Sequence, residues 1–273
     1  MFFCEKGLKL RRTQKLEFAG NVRGTAVHSV LYSLLKMLYE EARERGISFN
    51  ELFAEKTPSW LKSTVAELME KYTAETFTEA GYLPTPSFKK SMEKQGGVIY
   101  DIVLHMQREF DPSNSRFSPA AFEYAIGESY PDGRKDMPAK TLTAATSDGI
   151  KFTVSFTGSV DRIDIFTDSS SGTPEKYLRV VDYKTGAKVF RLEEIAMGIN
   201  MQMLLYLYAV TDGGRSPDNA FGGYSPAGIM YMPARRPEPK TESTRFRGNS
   251  EEKSGTVTDQ ALRMNGLTLN TVN

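Results

Sequence analysis

The chain has 273 residues, 40% hydrophobic and 25% charged, with a formal net charge of +1 and a sequence pI of about 7.7. This composition is ordinary for a globular protein of one large domain or two small ones, and it excludes a global electrostatic pull on nucleic acid, so any such site must be a local patch. The single cysteine, Cys4, excludes an internal disulfide framework and suits a reducing, cytoplasmic compartment; no apolar run approaches the ~18 residues of a membrane span, and the start MFFCEKGLKLRR has too short an apolar core for a signal peptide.

Residues 1–20 are mixed and basic. Lys6, Lys9, Arg11, Arg12 and Lys15 read either as phosphate contacts or as a solvated strand or turn. Gly20 to Gly46 is predicted as a long amphipathic helix, because Val27, Val30, Leu31, Leu34, Leu35 and Leu38 recur at three- and four-residue spacing. His28 lies near its beginning, beside the apolar stripe, where a packed core histidine is the plain reading. Ser48 to Phe53 reads as a short capped turn. Thr57-Pro58 opens a second helix, with Pro58 suited to its first turn and Trp60, Leu61, Val65, Leu68 and Met69 as its stripe, running to about Gly81. Leu83-Pro84-Thr85-Pro86 is a break. A third helix is predicted from Ser87 to Phe110, with Gly96-Gly97 as a weak point; His105 on it reads as structural or surface.

From Ser118 the pattern turns to β. Ala121 to Ile126 alternates, and Glu123 stands between aromatics on a core strand, where an acid needs a reason. Thr141 to Ala145 and Phe152 to Thr157 are predicted strands around the turn Ser147-Asp148-Gly149. Gly158 to Gly186 reads GSVDRIDIF, TDSSSGTPE, KYLRVVDYKTG: two β-type runs joined by a hairpin connector. Strand periodicity puts Asp182 and Lys184 on one face and Tyr183 on the other, and turns Asp164 away from Asp161. Antiparallel pairing can bring Asp161 and Asp182 to one end of the sheet. Two carboxylates and an ammonium there suit Mg²⁺ or Mn²⁺, with a lysine to orient water or stabilise phosphate charge. A surface Asp–Lys ion pair would use the same residues. In VVDYK, however, β-branched apolar residues run straight into charge, which is costly unless paired or metal-bound.

A helix is predicted to begin near Leu192, with Ile195, Met201, Leu204, Leu205 and Tyr208 as its stripe; Gln202 and Tyr206, four apart, share a face. Asp212 to Ser225 is Gly-rich. Ala227 to Met232 is a further predicted strand, followed by a local basic patch of Arg235, Arg236 and Lys240. The polar segment from Pro237 to Gly255 is expected to be poorly ordered, and Leu262 to Leu269 to dock a last short element. The Phe2-Phe3 opening and the TLNTVN close read as cut ends of a longer protein.

GSVDRID, the connector and LRVVDYKTG together resemble motifs II and III of the PD-(D/E)xK nucleases, and more narrowly the RecB-like nuclease domain at the C-terminal end of AddB (RexB), a component of helicase–nuclease complexes. RGTAVHSVL, from Arg23 to Leu31, resembles the family's histidine motif; QMLLYLYA, from Gln202 to Ala209, resembles its Q-x-x-x-Y helix. The resemblance covers most of the chain, through FFCEKGLKL, FEYAIGE, PAGIMYMPAR and RMNGLTL. It implies an α/β (α+β) fold: a restriction-endonuclease-like core with a mixed β-sheet flanked by helices, plus an inserted helical region. The whole of residues 1–273 would be one nuclease domain, with helices over roughly 20–112, the core over roughly 118–235 and a flexible segment over roughly 237–255.

The implied activity is that of a metal-dependent DNA exonuclease domain in an AddB/RexB-type ATP-dependent helicase–nuclease, acting in double-strand break repair and recombination. The alternatives are a stand-alone CRISPR-associated RecB-like or phage-type exonuclease and a non-catalytic nuclease-fold scaffold; against the scaffold, His28, Asp161, Asp182 and Lys184 are all present. By the resemblance, His28, Asp161 and Asp182 bind Mg²⁺ or Mn²⁺, with the Tyr183 carbonyl as a further ligand. Lys184 acts on the water or phosphate, Gln202 joins the catalytic set, and Tyr206 and Arg23 contact DNA. Glu123 sits near the metal or organises its surroundings. The implied partners are a single-stranded DNA end and an AddA/RexA-type helicase–nuclease protein, with no membrane. The resembled domains commonly carry four cysteines on an iron–sulfur cluster; Cys4 alone cannot hold one, so the cluster is expected only of the full-length family. The chain has no P-loop, so an ATP-driven motor must lie elsewhere.

Overall fold

A computed structural model describes residues 20–80, 86–127, 133, 135–170, 172–186, 190–212, 219–234 and 262–268. Cys4, the basic stretch Lys6 to Lys15, the Leu83-Pro84-Thr85 break, Arg235, Arg236, Lys240 and the polar segment 237–255 lie outside the described residues.

Among the described residues four helices come first: α1 (Gly20–Arg45), α2 (Phe49–Glu55), α3 (Pro58–Ala80) and α4 (Pro86–Glu109). The predicted α1 stripe is buried throughout. It packs with Phe53 of α2, Leu61 and Val65 of α3, and Ile102 and Phe110 in and after α4. Ser48 starts α2 through a reciprocal capping box. Its hydroxyl accepts from the Glu51 N–H at 3.2 Å, and Glu51 Oε2 accepts from the Ser48 N–H at 3.0 Å. The expected weak point at Gly96-Gly97 does not interrupt α4. Gly96 lies against Met69 of α3, where even a Cβ would meet Cγ at 3.6 Å, so helix-on-helix packing outweighs the low helix propensity of glycine. His105 is buried, 3.0 Å from Glu109.

Among the described residues seven strands follow: β1 (Ser118–Ile126), β2 (Lys140–Ala145), β3 (Lys151–Phe156), β4 (Gly158–Asp168), β5 (Glu175–Lys184), β6 (Ser225–Pro233) and β7 (Asn265–Thr268). Five of them form a mixed sheet in the order β1-β4-β5-β6-β7. The pairs β1–β4, β4–β5 and β6–β7 are antiparallel, and β5–β6 is parallel. A parallel neighbour needs a crossover, and it runs through α5 (Leu192–Ala196) and α6 (Gln202–Asp212). The single helix predicted here is thus two, because Gly198 and Asn200 take φ of +74° and +58°. The buried side of α6 is Met203, Tyr206, Ala209 and Val210, not the predicted Leu204, Leu205 and Tyr208. QMLLYLYAV is apolar on nearly every side, so its period selects no face.

The sheet is the layer between two cores. Val181, Tyr183 and Met232 join the α1–α4 core. Ile163, Leu178, Val180, Ile229 and Tyr231 join α6 on the other face. β2 and β3 stand apart as a two-stranded hairpin, with Leu142 opposite Val154 and Ala144 opposite Phe152. At the start of β4, Gly158 lies against α6: a Cβ there would fall 2.6 Å from the Tyr206 ring. Gly158→Ala is expected to cost about 1–3 kcal/mol of stability, read as a lower urea midpoint at unchanged slope; an unaltered midpoint would contradict this packing. Among the described residues no helix is long and apolar enough to cross a membrane.

Candidate active site

The ladder between β4 and β5 runs from Asp168–Glu175 to Arg162–Val181. Asp161 and Asp182 stand one residue beyond it, at the end where α1 approaches the sheet. His28 on α1 sits over that end. Its Nε2 lies 3.2 Å from the Tyr183 carbonyl. Its Nδ1 lies 3.5 Å from Glu123 Oε1 and 3.6 Å from Asp161 Oδ1. One ligand-type atom from each of His28, Glu123 and Asp161 falls within 4.8 Å of the other two. Asp161 Oδ2 accepts from the Tyr183 N–H at 2.6 Å. Alongside, Lys184 Nζ stands 2.5 Å from Asp182 Oδ2 and 5.6 Å from the Tyr231 ring centroid.

Glu123 reaches this group through its backbone. It lies between Phe122, paired with Arg162, and Tyr124, paired with Val160. Its φ is +46°, a conformation that costs a non-glycine residue about 1–3 kcal/mol and is characteristically kept at functional sites. Ser159 Oγ donates to its Oε2 at 3.2 Å. The sequence signalled Glu123 only as an acid between aromatics on a core strand; the strained backbone that delivers its carboxylate has no residue signature.

The other predicted positions divide. His28, Asp161, Asp182, Tyr183 and Lys184 are brought together. Gln202 Nε2 donates to the Tyr206 hydroxyl at 2.9 Å. Tyr206, expected to contact DNA, is only 8% exposed, and its ring lies under Gly158. Burying the tyrosine leaves Gln202 as the solvent-facing member of the pair. Arg23 lies on α1 upstream of His28, and its side chain is outside the described residues. Asp164 turns to the opposite face, onto Arg162 and Arg179.

Charge is crowded here. Burial alone would lower the His28 imidazole, but its bond to Glu123 and the charges of Asp161 and Glu123 outweigh burial and push it up to about 9. Both ring nitrogens face acceptors, which independently favours the doubly protonated ring. Burial pushes the Asp161 carboxyl up to about 7; the charge of His28 opposes that rise and the charge of Asp182 adds to it. Asp182 is also raised by burial, against the pull of Lys184. Its Oδ2 is enclosed and makes no aligned hydrogen bond, so the Lys184 contact is an ion pair of poor hydrogen-bond geometry.

This donor set fits a small divalent cation. Clustered carboxylate oxygens with one imidazole suit Mg²⁺ or Mn²⁺, and a cation would compensate the carboxylate charge that burial disfavours at Asp161. The Nε2 contact to the Tyr183 carbonyl leaves Nδ1 facing the acids, the arrangement by which a backbone acceptor fixes a ligand histidine. Ligation requires deprotonated groups. With His28 at about 9 and Asp161 at about 7, Mn²⁺ affinity is expected to climb as pH rises from 6 to 9. Calorimetry at pH 7.5 in buffers of different ionisation enthalpy should show about one proton released per ion. Affinity independent of pH would contradict the assignment.

The sequence matches the PD-(D/E)XK nuclease superfamily over residues 1–268. It is similar to proteins named as the B component of an ATP-dependent helicase/deoxyribonuclease. Identity is 27% to that of Acetivibrio thermocellus, over 98% of this chain and 21% of the relative. It is 26% to that of Thermoanaerobacter sp. strain X514, over 98% and 21%, and 32% to that of Clostridium kluyveri, over 69% and 14%. The chain therefore spans 21% or less of the length of these relatives.

Proposed function

Because this chain belongs to the PD-(D/E)XK nuclease superfamily, we propose that it is a divalent-metal-dependent deoxyribonuclease domain of an AddB/RexB-type helicase–nuclease, hydrolysing phosphodiesters in a single-stranded DNA end. The observation that carries the reading is the meeting of His28, Glu123 and Asp161 beside the Asp182–Lys184 pair. DNA as substrate and a second protein as partner are supported by the relatives' names, which specify a deoxyribonuclease and one component of an assembly.

In this reading His28, Glu123 and Asp161 hold Mg²⁺ or Mn²⁺, with Asp182 adjacent. A bound divalent ion supplies Lewis-acid polarisation of the phosphate and a lowered pKa for the attacking water. Lys184, anchored by Asp182 and standing over the Tyr231 ring, offers its remaining N–H groups to a phosphate oxygen or to that water. The Tyr183 N–H keeps Asp161 oriented, and the Tyr183 carbonyl keeps His28 oriented.

The test is hydrolysis of end-labelled single-stranded DNA with Mg²⁺ or Mn²⁺, comparing the wild type with Lys184→Ala. Cleavage should require the metal, and the variant should lose about a hundredfold to a thousandfold in rate. Equal cleavage by both would remove the site's support. Metal binding without cleavage of single- or double-stranded ends would favour a nuclease-fold scaffold.

A further inference from the structure

Asp161 and Arg162 are neighbours on β4, yet they serve opposite faces of the sheet. Arg162 is fully buried behind the site. Its Nε and Nη2 donate to the two Asp164 oxygens at 2.7 and 3.1 Å, and its guanidinium lies 4.9 Å from the Phe110 ring centroid. Its Nη1 donates to the Tyr183 hydroxyl at 3.3 Å. Tyr183 is the residue whose N–H holds Asp161 and whose carbonyl holds His28. The backbone of one residue therefore orients two of the three clustered ligand groups, and its side chain is held from behind by a charge.

Burial does not explain why a guanidinium stands there. A buried ion network is often no more stable than well-packed apolar residues of the same volume, and Asp164 has a second cation in Arg179, 2.9 Å away. What Arg162 adds is the bond to Tyr183. We propose that Arg162 is a positioning residue: by fixing the Tyr183 side chain behind the sheet, it fixes the peptide groups that hold Asp161 and His28 in their ligating arrangement. Asp-Arg-x-Asp is then one device, with its first acid in the site and its arginine and second acid behind it. The inference rests on the metal-dependent reading of the site.

The test uses Tyr183→Phe, which keeps the ring and removes only the hydroxyl, together with Arg162→Met and the double variant. Each single change should weaken Mn²⁺ affinity about tenfold, within the range seen when outer partners of metal ligands are removed. The double variant should be no weaker than the worse single, because both cut the same link. The kcat for DNA should fall with KM unchanged, and hydrogen exchange at the Tyr183 amide of the metal-free protein should quicken in all three. A purely structural role predicts a lower melting temperature with unchanged Mn²⁺ affinity and unchanged Tyr183 exchange in the folded protein; that result, or additive losses, would overturn the proposal. If the wild type binds no Mn²⁺, the metal reading fails on its own, and amide exchange with the His28 ring resonances still decides the clamp.

Discussion

Asp161→Asn is expected to abolish metal-dependent cleavage and, in the same molecule, to stabilise the metal-free fold. On the proposed reading the loss should reach about a thousandfold, because one of three clustered candidate ligands gives up its charge and with it several kcal/mol of metal-borne transition-state stabilisation. The gain follows from linkage. Asp161 is raised to about 7 in the fold, so its ionisation is harder there than in the unfolded chain. An acid with a raised folded pKa costs nothing below its unfolded pKa. The cost grows as pH rises through the carboxylate range and levels off above pH 7. Asparagine removes that cost and still accepts from the Tyr183 N–H, while His28 keeps Glu123 as its partner. In the presence of a chelator the variant should be more stable by about 1–3 kcal/mol at pH 8, with the difference shrinking toward pH 4. Urea midpoints at the two pH values measure it. A variant less stable than wild type at pH 8 would show that Asp161 is held by attractions rather than opposed by burial.

Much of this arrangement is legible in sequence because it is written in short periods. The α1 stripe from Val27 to Leu38 repeats at helical spacing and is buried as a unit. The β4 and β5 runs are rich in β-branched residues and joined by a polar connector, and they carry Asp161 early in the first and Asp182 late in the second, one step beyond the last pair of their ladder. Period two also separates Asp161 from Asp164. What is not legible depends on packing or on unusual backbone. Glu123 enters the site at φ +46°. The α5–α6 break needs left-handed residues at Gly198 and Asn200, and nothing in a continuous apolar pattern announces it. Tyr206 carries a polar tip and so reads as a surface contact, but Gly158 leaves the space that admits its ring. Period two puts Arg162 on the face opposite Asp161, but its partners there, the Tyr183 hydroxyl and the Phe110 ring, come from other elements and have no signature in the motif.

The largest stability effect should come from the second acid of the same motif. Asp164 is fully buried and receives Arg162 in two bonds and Arg179 in one. Asp164→Ala would leave a guanidinium of zero exposure without its carboxylate, between Phe110 and the sheet. Breaking a buried pair in this way costs about 3–5 kcal/mol, a large part of the roughly 5–15 kcal/mol that holds a typical domain together. The variant should therefore be mostly insoluble at 37 °C, or show a urea midpoint far below that of wild type. Adding Arg162→Met to Asp164→Leu should recover much of the loss, since apolar residues of similar volume can replace the network; Arg179, partly exposed, can still reach water. The rescued protein should fold yet bind Mn²⁺ weakly, because the Tyr183 hydroxyl has lost its donor. A rescued protein with wild-type metal affinity would show that the network serves folding alone. Two aspartates three residues apart thus carry opposite signs: Asp161 stands where burial opposes its charge, and Asp164 stands between two guanidiniums where the fold depends on its charge.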